Sequence, residues 1–200
     1  MNARLVIGVV LLLSLLLNVQ GQGTVTFNYD QQSATESTGG GVALIINANQ
    51  PLGQSFTPLL SQVGFVRLAL VDGSVNGVGF TLSLDLLSGS ITGPILGSST
   101  PVTQTDGFIG YVDFFFSTPI NVTPGTPYYF RPLLMSGDSG TTLRVYNAYG
   151  YAGGTAYING VASSGNDLWF REGVVVPEPS SGAILLLGLC AFAARKRWSS

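Results

Sequence analysis

The chain has 200 residues, 46% of them hydrophobic and only 9% charged, with one cysteine, no histidine and a formal net charge of -2. The missing histidine excludes Ser-His-Asp and Cys-His nucleophilic systems, histidine-bound zinc, and the side chain best suited to proton transfer near neutral pH. Between residues 22 and 176 the basic residues are Arg67, Arg131, Arg144 and Arg171, set against Asp30, Glu36, Asp72, Asp85, Asp106, Asp113, Asp138, Asp167 and Glu172; this acidic balance offers no basic stripe for a phosphate backbone and argues against a nucleic-acid partner.

At the N-terminus, Met1-Asn2-Ala3-Arg4 supplies a positive start and residues 5–17 an apolar core of signal-peptide length. Val19 and Gly21 fit the small-residue cleavage pattern loosely, so residues 1–21 read as a signal peptide, helical in transit and outside the fold. Residues 22–175 then suffice for one domain with a substantial core. Cys190 lies beyond this span, so the exported domain has no disulfide and depends on that core.

Through the middle, apolar and polar residues alternate. Val66, Leu68 and Leu70 are spaced by Arg67 and Ala69; Phe80, Leu82, Leu84 and Leu86 by Thr81, Ser83 and Asp85. Both segments read as half-buried strands, joined through the turn chemistry of Asp72-Gly73-Ser74 and Asn76-Gly77. Further strands are expected at residues 25–29, 42–46, 54–57, 109–116, 127–135, 142–146, 155–158 and 168–171. No segment reads as a useful amphipathic helix. About ten short strands between Gly, Pro, Asn, Asp and Ser clusters predict an all-β fold, an antiparallel β-sandwich of jelly-roll type. Pro119 and Pro124 place Ile120-Asn121-Val122-Thr123 on a sheet edge.

Few motifs carry chemistry. Gly137-Asp138-Ser139-Gly140 looks like the nucleophile loop of trypsin-like proteases, but with no histidine to activate the serine it reads as a turn. Paired carboxylates remain the one catalytic option: a glycosidase needs two, about 5 to 10 Å apart, and Asp85 or Asp113 could supply one. Most of the aspartates sit in turns, as at Asp72-Gly73, Asp106-Gly107 and Asp138-Ser139-Gly140, which favours a structural role. The same turns raise calcium as a cofactor, with no EF-hand spacing and no ligands to name, so the metal set is unknown. Asn121-Val122-Thr123 fits the N-glycosylation pattern by coincidence, and Gly39-Gly40-Gly41 reads as a flexible connection.

Strand alternation singles out one surface. If Val112, Phe114 and Phe116 point inward, Tyr111, Asp113 and Phe115 point outward; if Leu168 and Phe170 are core, Trp169 and Arg171 are not. Aromatic rings beside charged side chains suit a flat sugar or a partner protein, so Trp169, Arg171, Tyr111 and Asp113 form the candidate ligand-binding set. The alternative is that loops or the second sheet cover this face.

The chain ends in Val176-Pro177-Glu178-Pro179, an uncharged run over residues 183–194, and Arg195-Lys196-Arg197. The two prolines keep Glu178 extended, the form a protease grips. The apolar run would be helical in lipid, with the basic triplet holding its end on the cytoplasmic side. A stable span needs roughly 20 apolar residues, so this one reads as a marginal, temporary anchor.

In order and spacing this tail resembles the PEP-CTERM sorting signal of exported bacterial proteins. The resemblance implies an exosortase-type membrane protease as partner, transient anchoring in the inner membrane by a C-terminal helix within residues 176–200, and delivery to the surface or extracellular matrix of a Gram-negative bacterium. It also implies an exopolysaccharide partner. The stretch from Gln54-Ser55-Phe56-Thr57 through residues 151–157 to Asp167-Leu168-Trp169-Phe170-Arg171 resembles the sandwich domains that often carry such tails, which implies a fold without an assigned activity. The function expected is therefore that of a non-enzymatic exported surface protein; the alternative is a secreted glycan-active hydrolase using two carboxylates.

Overall fold

The computed structural model describes residues 25–36, 42–137, 141–146 and 150–177. The expected signal segment at residues 1–21, the anchor helix at residues 183–194 and the turn at Asp138-Ser139-Gly140 lie outside them.

Fourteen strands follow one another among the described residues: β1 (Val25–Gln32), β2 (Val42–Ile45), β3 (Gly53–Phe56), β4 (Gln62–Asp72), β5 (Phe80–Ser88), β6 (Ile95–Ser98), β7 (Val102–Gln104), β8 (Ile109–Asn121), β9 (Tyr128–Gly137), β10 (Thr141–Tyr146), β11 (Ala156–Ile158), β12 (Val161–Ser163), β13 (Asp167–Leu168) and β14 (Phe170–Pro177). They form two antiparallel sheets. The first runs β1-β14-β4-β10-β13, with β8 also on β4 and β2 on β10; the second runs β12-β11-β3-β9-β5-β6, with β7 also on β5. Every expected strand is present, the one at residues 168–171 being divided at Trp169 between β13 and β14. β6, β7 and β12 are additional, being too short and too rich in Gly, Ser and Thr to show an alternating pattern.

The alternation builds one core. Val66, Leu68, Leu70, Val112 and Phe114 of the first sheet meet Leu82, Leu84, Leu86 and Phe130 of the second in a single buried cluster. Phe170 closes the layer, its ring 5.3 Å from Phe130 and 6.4 Å from Phe56 across the sheets. The Pro119 segment sits on an edge strand, because β8 pairs with β4 alone among the described strands and its end, at Asn121 opposite Gln62, lies past a bulge between Val63 and Phe65.

One expectation is corrected. β4 and β5 are not half-buried; the outer faces of both are covered as well, with Phe65, Ala69, Ser83, Asp85 and Leu87 all buried. Their alternating polar residues are compatible with this because the charged ones are paired. Asp85 accepts from Arg131 at 3.0 Å and from the Ser98 hydroxyl at 2.6 Å, and a paired, hydrogen-bonded charge tolerates cover that a bare one would not.

Candidate functional site

Register brings the four singled-out residues together on the outer face of the first sheet. Arg171 stands opposite Arg67 on β4, and Arg67 stands opposite Asp113 on β8, so the three form one row across three strands. Ala69 pairs with Tyr111 in the next row. Trp169 packs there with Ala69 and Ala34, its ring 4.5 Å from that of Tyr111. The alternation argument therefore assigns these side chains to the correct face.

Their exposure differs from what was expected. Trp169 is 1% exposed and is no bare platform. After β1 the chain turns across this face: the Ser33 amide donates to the Phe170 carbonyl and the Ser33 hydroxyl to that of Leu168. The following residues then lie over the indole, whose Nε1 donates to the Thr35 carbonyl at 3.3 Å. The small side chain of Ala69 leaves room beneath. Tyr111 is 37% exposed, with its hydroxyl donating to the Glu36 carbonyl at 2.8 Å. The covering segment was legible in the sequence only as the end of a strand followed by a polar stretch.

Two arginines side by side on adjacent strands repel each other, and Glu36 resolves the repulsion. Its carboxylate accepts from Arg67 at 2.8 Å and from Arg171 at 2.6 and 2.7 Å. Asp113 takes the remaining fork of Arg67 in a bidentate pair at 2.6 and 2.8 Å. Two cations and two anions thus cancel. The hydrogen bonds from Asp113, stronger than the opposing effect of burial, hold Arg67 firmly protonated. Burial works against the charge on Glu36, but a backbone hydrogen bond and the two guanidinium groups outweigh it and keep the carboxyl below its ordinary range. Arg171 also lies over the Tyr29 ring, 3.3 Å from its centroid, and Arg67 lies 4.9 Å from that of Phe27. Phe27, Tyr29, Phe65 and Phe115 pack together beside them. Such a face is chemically closed, its donors and acceptors spent on one another.

The carboxylates raised as glycosidase candidates are also committed. Asp113 is paired with Arg67 on the outer face of the first sheet, and Asp85 with Arg131 on the outer face of the second. Standing on different sheets, they do not flank a common sugar site. Among the described residues no group of three or more acidic side chains is placed to hold a metal ion.

A different pair of acids does approach, and nothing in the sequence pattern marks it. Glu172 stands opposite Val66, a core residue, so its side chain points between the sheets. It is 0% exposed, and the polar groups beside its carboxyl are the Asp30 carboxyl and the Gln31 backbone. Burial, reinforced by the neighbouring Asp30, pushes it up to about 9. Asp30 is tied to the neighbouring turn, its Oδ2 accepting from the amides of Leu59 at 2.7 Å and Leu60 at 2.9 Å. Nearby, Tyr151 accepts from the Thr57 amide and donates to Gln31, and burial pushes its phenol up to about 12.

The sorting residues occupy the end of the last strand and the chain beyond it. Val176 and Pro177 close β14, while Glu178, Pro179, Arg195, Lys196 and Arg197 lie outside the described residues. Residues 175–197 match the PEP-CTERM protein-sorting motif. No curated protein matches the chain.

Proposed function

We propose that this chain is a non-enzymatic exported surface protein, delivered with its two-sheet domain outside the inner membrane and processed at its tail by an exosortase-type protease. The observation that carries this reading is the sorting motif at residues 175–197, which starts within the last strand of the domain. The prolines flanking Glu178 keep the segment extended, the apolar run over residues 183–194 anchors it briefly, and Arg195-Lys196-Arg197 retains its end on the cytoplasmic side. The destination is the surface or extracellular matrix of a Gram-negative cell. An exopolysaccharide partner would have to be met away from Trp169, whose indole is covered.

Mass spectrometry of the exported protein tests the proposal. The expected result is a C-terminus near Glu178 and no peptide from residues 185–197. Recovery of the intact tail from mature surface material would overturn it.

A further inference from the structure

The second sheet carries an open groove with a chemistry unlike that of the ion-paired face on the first. The start of β5 lies between β7 and β9, with Thr81 opposite Thr103 on one side and Ser136 on the other. Phe80 and Leu82 belong to the core, so alternation turns Thr81 outward, and the three hydroxyl residues form one row across three strands. Gln104 at the end of β7, with Thr105 and Asp106 of the turn that follows, continues the lining. The groove has a volume of about 500 Å³, within the roughly 300 to 1,000 Å³ of small-molecule sites.

Two glycines shape it. Gly79 lets the Gln104 carbonyl take the space that a Cβ would occupy, which draws β7 against the chain entering β5. Gly77, at φ +86°, turns that chain with nothing within 4 Å of where its own Cβ would stand, so the wall there is bare backbone. The Asp106 carboxylate fixes the wall, accepting from the amides of Asn76 at 3.2 Å and Gly77 at 2.7 Å. The groove is thus held open by its own backbone, and a ligand need not order it.

The lining selects the chemistry of that ligand. Among the described residues the side chains of Gln104, Thr105 and Ser136 make no hydrogen bond. The Thr81 and Thr103 hydroxyls share one bond at 2.9 Å, which leaves one of their two protons free to donate. Asp106 keeps lone pairs beyond those that hold the two amides. Donors and acceptors are therefore offered together. No basic residue lines the groove, so a phosphate, sulfate or uronate would face Asp106 without a cation to neutralise it. The one large apolar residue of the lining, Phe80, is 2% exposed and offers little to a lipid chain. A ligand matched to this set carries several hydroxyls, each both donor and acceptor, and no charge.

We propose that the groove binds one neutral hexose unit, its hydroxyls bonded to Gln104, Thr105, Ser136 and the Asp106 carboxylate. Because the groove is open, the unit can be a free sugar or part of a neutral glycan chain. The site lies wholly within residues 77–136 and does not depend on the reading of the tail, so sugar binding and the C-terminal mass of the exported protein fail separately.

Saturation-transfer NMR on the full chain, held in a zwitterionic detergent that carries no sugar, tests the site. The probes are the methyl glycosides of glucose, galactose and mannose, and methyl glucuronide. The expected result is saturable transfer to at least one neutral glycoside, several-fold weaker binding of the glucuronide, and a loss of roughly two- to tenfold in affinity, the worth of one hydrogen bond, in Gln104→Ala and in Ser136→Ala. Unfolding midpoints check that both variants fold. Ser136 is exposed, and its variant decides the matter alone should Gln104→Ala lower the midpoint. No saturable transfer to any of the three neutral glycosides, affinity unchanged in Ser136→Ala, or preference for the glucuronide overturns the proposal. Gel retardation by dextran, galactan or mannan, matched to the glycoside that binds, separates the two sources: retardation supports a unit held within a chain, and glycoside binding without it supports a free sugar in the same groove.

Discussion

Trp169 and Tyr111 hold their rings 4.5 Å apart, tilted by 33°, on the outer face of the first sheet. The Tyr111 hydroxyl and the Trp169 Nε1 both donate to carbonyls of the segment after β1, those of Glu36 and Thr35. The pair therefore clamps that segment onto the sheet and makes a second, smaller core of a face that alternation alone would leave to solvent.

Trp169→Ala should accordingly behave as a core truncation. The expected loss is about 3 to 5 kcal/mol by urea unfolding, in the range for removing a buried large aromatic. Trp169→Phe should lose less, since the ring contact with Tyr111 survives and only the Nε1 hydrogen bond is lost. A change in Trp169→Ala within about 0.5 kcal/mol, the ordinary range for surface positions, would contradict the burial described.

Glu36→Gln should expose the repulsion that Glu36 now masks. Arg67 keeps Asp113, but Arg171 loses its ion pair with Glu36 and the two guanidinium groups remain opposite each other. The cluster is partly exposed, with the Glu36 side chain 36% accessible, so screening limits the effect to on the order of 1 kcal/mol. Added salt should narrow the gap between wild type and variant, measured as the difference in unfolding midpoint. A gap that widens with salt would show that Glu36 acts through packing and not through charge.

These clusters show where the sequence was legible. Period-two alternation at Val66, Leu68 and Leu70, and at Leu82, Leu84 and Leu86, identifies inward side chains because register constrains a strand at every second residue. It assigns Trp169 to the correct face as well. What it cannot supply is whether a distant segment returns to cover that face: residues 33–36 are separated from Trp169 by more than a hundred positions, and their polar composition gives no sign of the contact. Glu172 is the opposite case. Its neighbours Gly173 and Arg171 break the apolar pattern, so an acidic residue aimed into the core looks like any strand-end charge. The tail was legible because it is read as linear sequence and needs no fold.

The buried Glu172 makes the stability of this domain depend on pH in a definite direction. In the unfolded chain the carboxyl titrates at its ordinary value of 4.5, whereas in the fold burial and Asp30 raise it to about 9. Between those limits the folded chain holds a proton that the unfolded chain has released. Stability is therefore greatest at the acidic end of the window and falls as pH rises towards 9, with a slope of at most about 1.4 kcal/mol per pH unit from this one group. Glu36, whose carboxyl is lowered, has the opposite sign and contributes stability that is lost as pH falls below the ordinary carboxylate range. The phenol of Tyr151, raised to about 12, titrates above the window. Subtracting the unfolding free energy of Glu172→Gln, which cannot ionise, isolates the Glu172 contribution. The variant should overtake wild type progressively from pH 5 to pH 9 in denaturant titrations, its own curve being flatter over that range. Parallel curves for the two proteins would mean that Glu172 is no more reluctant to ionise in the fold than in the unfolded chain, and the buried carboxyl pair would lose its energetic meaning.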